Sequence, residues 1–411
     1  MKQRQDRSRR RRGTLGVLAY RHDRPFRMWG EQTDYLAGVL EAAGDLGLRA
    51  FAFGPQDVHL AKGRVRAWVR RGGRWRSRWL GLPTLVYDRF FLRKEPQAGR
   101  YLASYRRLKA SGRLRFISPD LPDKWQVHRV LRGAPDLHPH LPPSLLYKGP
   151  ATAATAAARW GALVFKPIRG QKGLGLWFAL PQGRGRWRVV GGSTGSGSIK
   201  SREQFLAWCH ARLRPGKYMV QKYLALTDPA GRPRDIRVLV QRGPGGQIIV
   251  TGMGARIGRP GTMVANLHRG GRGMPVPAAV DRVVPPGPDL VAAATHWVSG
   301  AEPGNGATPD GAVDLQDAGD GQPWHGRSFA PVEQHLAWVA VRVFQVLNQA
   351  FGRYAELAID LGVDAEGRIW FIEANSRPGR IIFRRIGDLE GRRHAIRMPL
   401  LYARHLMTAG T

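Results

Sequence analysis

AELAIDLGVDAEGRIWFIEANSRPGR, residues 355–380, reads as two strands around a turn and carries Asp360, Glu373 and Asn375. Its two arms are apolar and rich in β-branched and aromatic residues, and Asp-Ala-Glu-Gly between them is a turn-forming cluster. If Val363 faces Arg368 across the turn, Asp360 faces Phe371, and the side-chain period of two puts Phe371, Glu373 and Asn375 on one sheet face. Asp360 then lies diagonal to Glu373, at about 7–8 Å between backbones. Two carboxylates that close repel by about 2–3 kcal/mol at an effective dielectric of about 20, so apolar flanks demand compensation. A hard cation supplies it, and two carboxylates with an amide carbonyl are oxygen ligands of the kind Mg²⁺ accepts. The bland alternative is a hairpin whose solvent face happens to carry acids.

Outward from this hairpin, composition sets bounds. With 411 residues, 43% of them hydrophobic, the chain is long enough for two to three domains. Its formal net charge is +36, with 55 arginines against 11 lysines. Self-repulsion on that scale calls for anionic counterparts or salt. Cys209 is the sole cysteine, so no disulfide forms within the chain, and FLAWCHARL places it as a small buried apolar residue. No apolar run reaches the length of a membrane span. The opening SRRRRGTLGVLAY has too short an apolar part for a signal peptide, which points to the cytoplasm.

Residues 1–13 form a basic tail without apolar periodicity, expected to be disordered. TLGVLAY, a helix with Leu36, Val39, Leu40, Ala43 and Leu46 on one face, and RAFAF give a β-α-β opening, hence a parallel α/β domain over 14–119. Within it, RVRAWVRR and RWRSRWL form a hairpin with eight basic residues and no acid between Lys62 and Arg78. Arginine interleaved with tryptophan suits a single-stranded nucleic acid platform, or an arginine-coated ribbon whose apolar face packs on the domain. TLVYDRFF and RLRFIS are further strands. DKWQVHRVL is a short helix, and HPHLPPS a linker whose His138 and His140 lack the acids or cysteines of a metal site.

ALVFKPIRG, GLWFAL and RWRVVGG read as strands, and Ser201 with Gln204 caps the helix that follows. Gly170, Gly173 and Gly175 sit in a turn between the first two of these strands. Glycines there let backbone N–H groups approach a phosphate chain with no Cβ in the way. This is not a P-loop, since no helix opens after it. Lys166 and Lys124, in a chain that prefers arginine, mark places suited to a compact ammonium. YMVQKYLAL, RDIRVLVQRG and GQIIVTGMGAR are strands, 285–330 is a Pro-, Gly- and Asp-rich insertion expected to be mobile, and two helices flank the hairpin.

Asp360, Glu373 thirteen residues later and Asn375 fifteen later, inside FIEANSRPG, resemble the metal signature of the ATP-grasp superfamily. DIRVLVQ at 235–241 and TGMGARIGRPGTMVANLHRGG at 251–271 resemble its YheC/YheD-type endospore coat-associated branch, with similarity from about Asp123 to Arg380. The resemblance implies an α/β and α+β protein: an ATP-grasp fold with a Rossmann-like pre-ATP-grasp domain, subdomains at 120–215 and 216–411, and ATP and Mg²⁺ as cofactors. It assigns Lys124 and Lys166 to ATP phosphates, the glycine loop to a lid, and the backbone of Gln221, Lys222 and following residues to adenine. It further assigns Asp228 to the ribose, Arg256 to the transferred phosphoryl group, Asn266 to metal or phosphate, and His268 and Arg269 to the acceptor side. Many relatives have arginine two residues before the first metal acid, where this chain has Ala358, so Arg256 carries more of that role. Asp235 and Arg237 are either an ion pair or a substrate contact. The implied reaction joins a carboxylate, activated as acyl phosphate, to an amine, with a peptide-like or polyacidic substrate in a sporulation setting. The alternatives are a noncatalytic coat component and a nucleic-acid-binding protein.

Overall fold

The computed structural model describes residues 13–22, 28–91, 98–170, 173–192, 197–265, 267, 270–284 and 330–409. The basic tail up to residue 12, and 285–329 of the expected insertion, lie outside those residues.

Three sheets organise what is described. The first holds β1 (Thr14–Ala19), β2 (Arg49–Phe53), β3 (Val58–His59), β4 (Arg64–Arg71), β5 (Arg74–Gly81) and β6 (Leu85–Arg89). β1 runs parallel to β2 and to β6, and α1 (Thr33–Asp45) joins β1 to β2, giving the expected β-α-β opening. Leu36, Val39 and Ala43, spaced to share one helical face, are its buried stripe. The Arg/Trp ribbon forms as β4 and β5, and α2 (Ala98–Ala110) follows β6. RLRFIS is not a strand. It makes one parallel bridge, Val86 to Phe116, before Pro119, which lacks an N–H, takes the chain away from the sheet.

The middle layer begins with α3 (Lys124–Leu131), capped by Asp123, whose carboxylate accepts from the Gln126 amide at 3.0 Å. HPHLPPS is more than a linker, because Pro135–His140 winds as a short 3₁₀ helix and His140 is buried, its Nδ1 2.8 Å from the Ile369 carbonyl. Then come β7 (Ser144–Leu146), α4 (Pro150–Trp160), β8 (Leu163–Pro167), β9 (Trp177–Pro181), β10 (Trp187–Gly191), β11 (Gly197–Lys200), α5 (Arg202–Arg212) and β12 (Tyr218–Lys222). These strands form one antiparallel sheet in the order β11-β10-β9-β8-β12-β7. α5 carries the expected capping box: Ser201 Oγ accepts from Gln204 N at 3.3 Å and Gln204 Oε1 from Ser201 N at 3.0 Å. Cys209, fully buried on that helix, has its thiol pushed up to about 12 by desolvation, so it is inert packing.

The third sheet joins β13 (Arg234–Arg242), β14 (Ile248–Ile257), β15 (Arg272–Met274), β16 (Glu356–Val363) and β17 (Ile369–Asn375) in the order β15-β14-β13-β16-β17. α6 (Val276–Ala279) and α7 (Pro331–Phe351) cover one face, where Leu336, Val339, Val343, Phe344 and Leu347 meet Ile236, Val238, Leu357, Ile359 and Leu361. α8 (Ile381–Arg385) and α9 (Leu389–Thr408) lie on the other. Leu400 and Ala403 of α9 join the core of the first sheet, binding the C-terminal helix to the N-terminal layer. Among the described residues no helix is long and apolar enough to cross a membrane.

Candidate functional site

The β16–β17 hairpin forms with a register that differs from the one expected. Asp364 closes the turn by giving its N–H to the Arg368 carbonyl at 3.1 Å, and Gly367 supplies φ 84°. Val363 therefore faces Ile369, Leu361 faces Phe371, and a bulge at Ile372 brings Asp360 directly opposite Glu373. An odd residue in one strand reverses the alternation beyond it. Phe371 turns into the helix-covered core, while Asp360, Glu373 and Asn375 share the other face.

Asp360 is 1% exposed. Arg237, its neighbour on β13, grips it in a bidentate fork, Nε to Oδ1 at 2.8 Å and Nη2 to Oδ2 at 2.7 Å. Arg256 on β14 adds Nη2 at 2.9 Å from Oδ2 while its Nε bonds Asp235 across the strand pair. Asp235 and Arg237, two residues apart on one strand, thus pair crosswise rather than with each other. Burial would raise the Asp360 carboxyl, but Arg237 and Arg256 outweigh it and hold it below the ordinary range. Burial prevails at Asp235 over Arg256, and with Asp360 adding repulsion its carboxyl lies above that range. The compensation that the acids seemed to require from a cation is already supplied at Asp360 by two guanidiniums.

The opposing wall comes from the middle sheet. Lys124, first residue of α3, donates its backbone N–H to the Ile168 carbonyl at 2.9 Å, docking the helix start on the end of β8. Its Nζ donates to the Gly170 carbonyl at 2.8 Å and lies 3.5 Å from Glu373 Oε2. Lys166 on β8 is partly buried, and desolvation pushes its ammonium down to about 8 against the pull of Glu373, with Lys124 adding repulsion. Both lysines therefore come close to Glu373 of the hairpin, Lys124 paired with it and Lys166 within its electrostatic pull. Gly170, Gly173 and Gly175 have φ of 147°, 69° and 74°, and a Cβ at Gly175 would sit 2.9 Å from Pro167 Cγ. Both positive φ and close approach reserve that position for glycine.

Asn375 Nδ2 lies 3.4 Å from Asp360 Oδ2 and 3.3 Å from Glu373 Oε1, so the three oxygen-bearing side chains converge at contact distance. Among the described residues no group of three His, Cys, Asp or Glu side chains could hold a metal, and this set has two carboxylates and an amide. All three can present oxygen, the donor a hard divalent cation takes. They fit the group.

Other expected residues stand as follows. The Gln221 amide is buried and donates to Ser144 Oγ at 2.8 Å, and Lys222 is exposed at the strand end. Asp228 accepts from the amides of Ala230 and Arg232 and from Arg232 Nε at 2.7 Å, which occupies its carboxylate in a turn. Asn266, His268 and Arg269 lie outside the described residues. Sequence reasoning missed the apolar layer of Val164, Phe178 and Val190, joined by Leu176, Tyr223, Met263 and Val264. It also missed Arg237 as the closest partner of Asp360. The alternation in β8–β10 was the available signal for the first.

Residues 113–294 and 321–406 of the chain match a family model described as YheC/D like ATP-grasp. The chain belongs to the YheC/D-like ATP-grasp family. Among curated proteins it is similar to endospore coat-associated protein YheC of Bacillus subtilis (strain 168), at 23% identity over 85% of this chain and 86% of that protein. YheD of the same organism is 24% identical over 88% of this chain and 70% of its own length. Among solved structures, D-cycloserine synthetase DcsG aligns with TM-score 0.52 and 13% identity, covering 95% of this chain and 98% of that one. That likeness establishes a shared ATP-grasp fold.

The family segment SRPGR after Asn375 is pinned to the first sheet. Arg377 Nη2 reaches Asp88 Oδ2 at 2.6 Å and Asp120 Oδ1 at 2.9 Å. Glu356, wholly buried on β16, accepts from Tyr87 OH at 2.7 Å, Arg89 Nη1 at 3.1 Å and Gln241 Nε2 at 2.9 Å, and is paired with Arg380.

Proposed function

We propose that this protein is an ATP- and Mg²⁺-dependent ligase that joins a carboxylate to an amine. One observation carries the reading: Lys124 and Lys166 from the middle layer come close to Glu373 of the third sheet, beside a glycine turn, and Asn375 joins Glu373 to Asp360. ATP enters as substrate. The apolar layer of Val164, Phe178 and Tyr223 offers the flat adenine ring a surface, and the two ammonium groups hold its phosphates. Held by Asp360, Glu373 and Asn375, Mg²⁺ would neutralise phosphate charge and orient the oxygens for in-line transfer.

The acceptor carboxylate oxygen bonds to the γ-phosphorus as the bridging P–O bond to ADP breaks. An amine then adds to the acyl carbon, phosphate leaves with the C–O electron pair, and the amine gives up a proton. Arg256, fixed in direction by Asp235, is the guanidinium available to the charge on the transferred phosphoryl oxygens. The glycine turn allows the backbone to close over the phosphates and keep water from the activated acyl group. Because YheC and YheD are endospore coat-associated, we place the activity in a sporulating cell, in the cytoplasm where ATP is available, with an acidic or peptide-like substrate suited to the positive chain.

The arginine fork on Asp360 favours a second reading, a noncatalytic coat component that keeps the fold with its acid permanently occupied. Incubating the protein with Mg-ATP and a panel of amino acids and acidic peptides separates the two, with ADP followed enzymatically and products by mass spectrometry. ADP formed in step with a condensation product supports the ligase. Calorimetry showing no Mg-ATP binding would remove it.

Lys166 gives a pH dependence. Its folded value of about 8 lies below the ordinary 10.5, so between those pH values the unfolded chain holds a proton that the folded one lacks, and stability of the free protein rises with pH. Phosphate binding needs the charged form, so ATP affinity falls as pH climbs past about 8. Lys166→Arg, whose guanidinium stays charged, flattens the affinity profile, as titration calorimetry from neutral to alkaline pH would register.

A further inference from the structure

The ribbon of β4 and β5 takes no part in the cleft. Among the described residues β5 pairs with β4 alone, so the other side of this eight-residue strand is an open edge. Register puts Arg74, Arg76 and Arg78 on one face, opposite Arg71, Val69 and Ala67, and Trp75, Ser77 and Trp79 on the other. Arg64, Arg71, Arg74, Arg76 and Arg78 are exposed, and none has an ion pair or side-chain hydrogen bond among the described residues. Trp79 is 51% exposed.

Charges commonly guard sheet edges against pairing. Here eight basic residues fall between Lys62 and Arg78 without an acid, and three outward arginines succeed one another on the edge strand itself. A second copy of the ribbon is repelled by like charge, whereas an acidic strand is attracted. A stacking platform for single-stranded nucleic acid needs several free ring faces. Trp68 is buried beneath Arg21 and Arg66, at 5.6 and 5.0 Å, and Trp75 packs on Trp29 at 5.6 Å. Only Trp79 of the ribbon's tryptophans stays well exposed among the described residues.

We propose that β5 is a docking edge for an extended acidic segment of a partner protein, added to the first sheet as a further strand. Main-chain groups of the segment satisfy the open edge. The period of two sets its sequence preference, with carboxylates at alternate positions toward Arg74, Arg76 and Arg78, and apolar side chains between them toward Trp75 and Trp79. The surface is independent of the nucleotide cleft, so it stands whether or not the chain is a ligase.

The probe is a fluorescein-labelled peptide of alternating Glu and Val, with an alternating Lys and Val peptide and oligo(dT) beside it. Anisotropy is read near physiological salt and amide hydrogen exchange over residues 74–81. The Glu–Val peptide is expected to bind and to slow exchange in β5. R74Q/R76Q/R78Q weakens it by about tenfold or more, and R184Q/R186Q/R188Q, which takes the same charge from another exposed hairpin, changes it by no more than about twofold. Slowed exchange in the wild type alone would suffice should the first triple variant be misfolded. Equal loss from both triples, binding without protection of β5, no binding at millimolar peptide, or tighter oligo(dT) binding that protects β5 overturns the proposal.

Discussion

Glu373→Gln abolishes the magnesium-dependent part of ATP binding while leaving the free protein nearly as stable as before. Of the three converging side chains, Glu373 is the cleanest to alter. Its partners are Lys124 at 3.5 Å and the Asn375 amide at 3.3 Å, and its side chain is 26% exposed. A partly exposed pair of that kind contributes less than about 1 kcal/mol, so the melting temperature without ligand should barely move. Loss of an outer-shell partner costs roughly 10–100-fold in metal affinity, and loss of a direct ligand should exceed that. We therefore expect ATP affinity in magnesium to fall by about 100-fold or more, to the level seen in EDTA. Titration calorimetry with and without magnesium decides it. Wild-type affinity that is indifferent to magnesium, or a variant that retains the difference, removes the metal site. Asp360→Asn is a poorer probe, because it strips the charge that Arg237 and Arg256 were built around and confounds binding with folding.

Glu356→Ala has the larger effect on stability. The carboxylate is 0% exposed and lies between Arg89 from the first sheet and Arg380 from the segment after the hairpin. Removing it leaves two buried guanidiniums facing each other without a counter-charge, and breaking a buried pair by removing one partner costs about 3–5 kcal/mol. Tyr87 loses its acceptor as well. Chemical unfolding followed by tryptophan fluorescence should show the loss. A cost below about 1 kcal/mol would mean that the network carries little of the fold. Because Arg380 lies on the chain just past Asn375, the variant should also weaken Mg-ATP binding, and a double variant adding Arg380→Met should recover part of the stability without restoring the affinity.

What the sequence made legible follows from what local chemistry encodes. The acids and amide of the hairpin, the lysines scarce in an arginine-rich chain, and the Ser201/Gln204 box all announce themselves through residue type and short spacing. α4 did not, because PATAATAAARW buries only Ala153 and Ala156, and alanine gives strong helix propensity but a faint apolar stripe. His140 looked like a loop residue because its partner, the Ile369 carbonyl, is 229 positions away. The same holds for Arg237, whose meeting with Asp360 spans 123 positions and depends on which strands become neighbours. RLRFIS has strand chemistry throughout, and only the proline after it, together with the sheet's available edge, keeps it from pairing further.

The bulge at Ile372 has a consequence for how relatives of this chain are compared. Keep that position but pair it regularly, without the bulge, and the ribbon would still zip and a superposition of folds would barely register the change. Glu373 and Asn375, however, would both turn to the oily interior, stranding Asp360 with its arginines. A relative can therefore hold both acids and the amide on one side in two ways, with an extra residue absorbed by a bulge or with one residue fewer and none, so the count between the turn and the second acid has to be read together with the pairing.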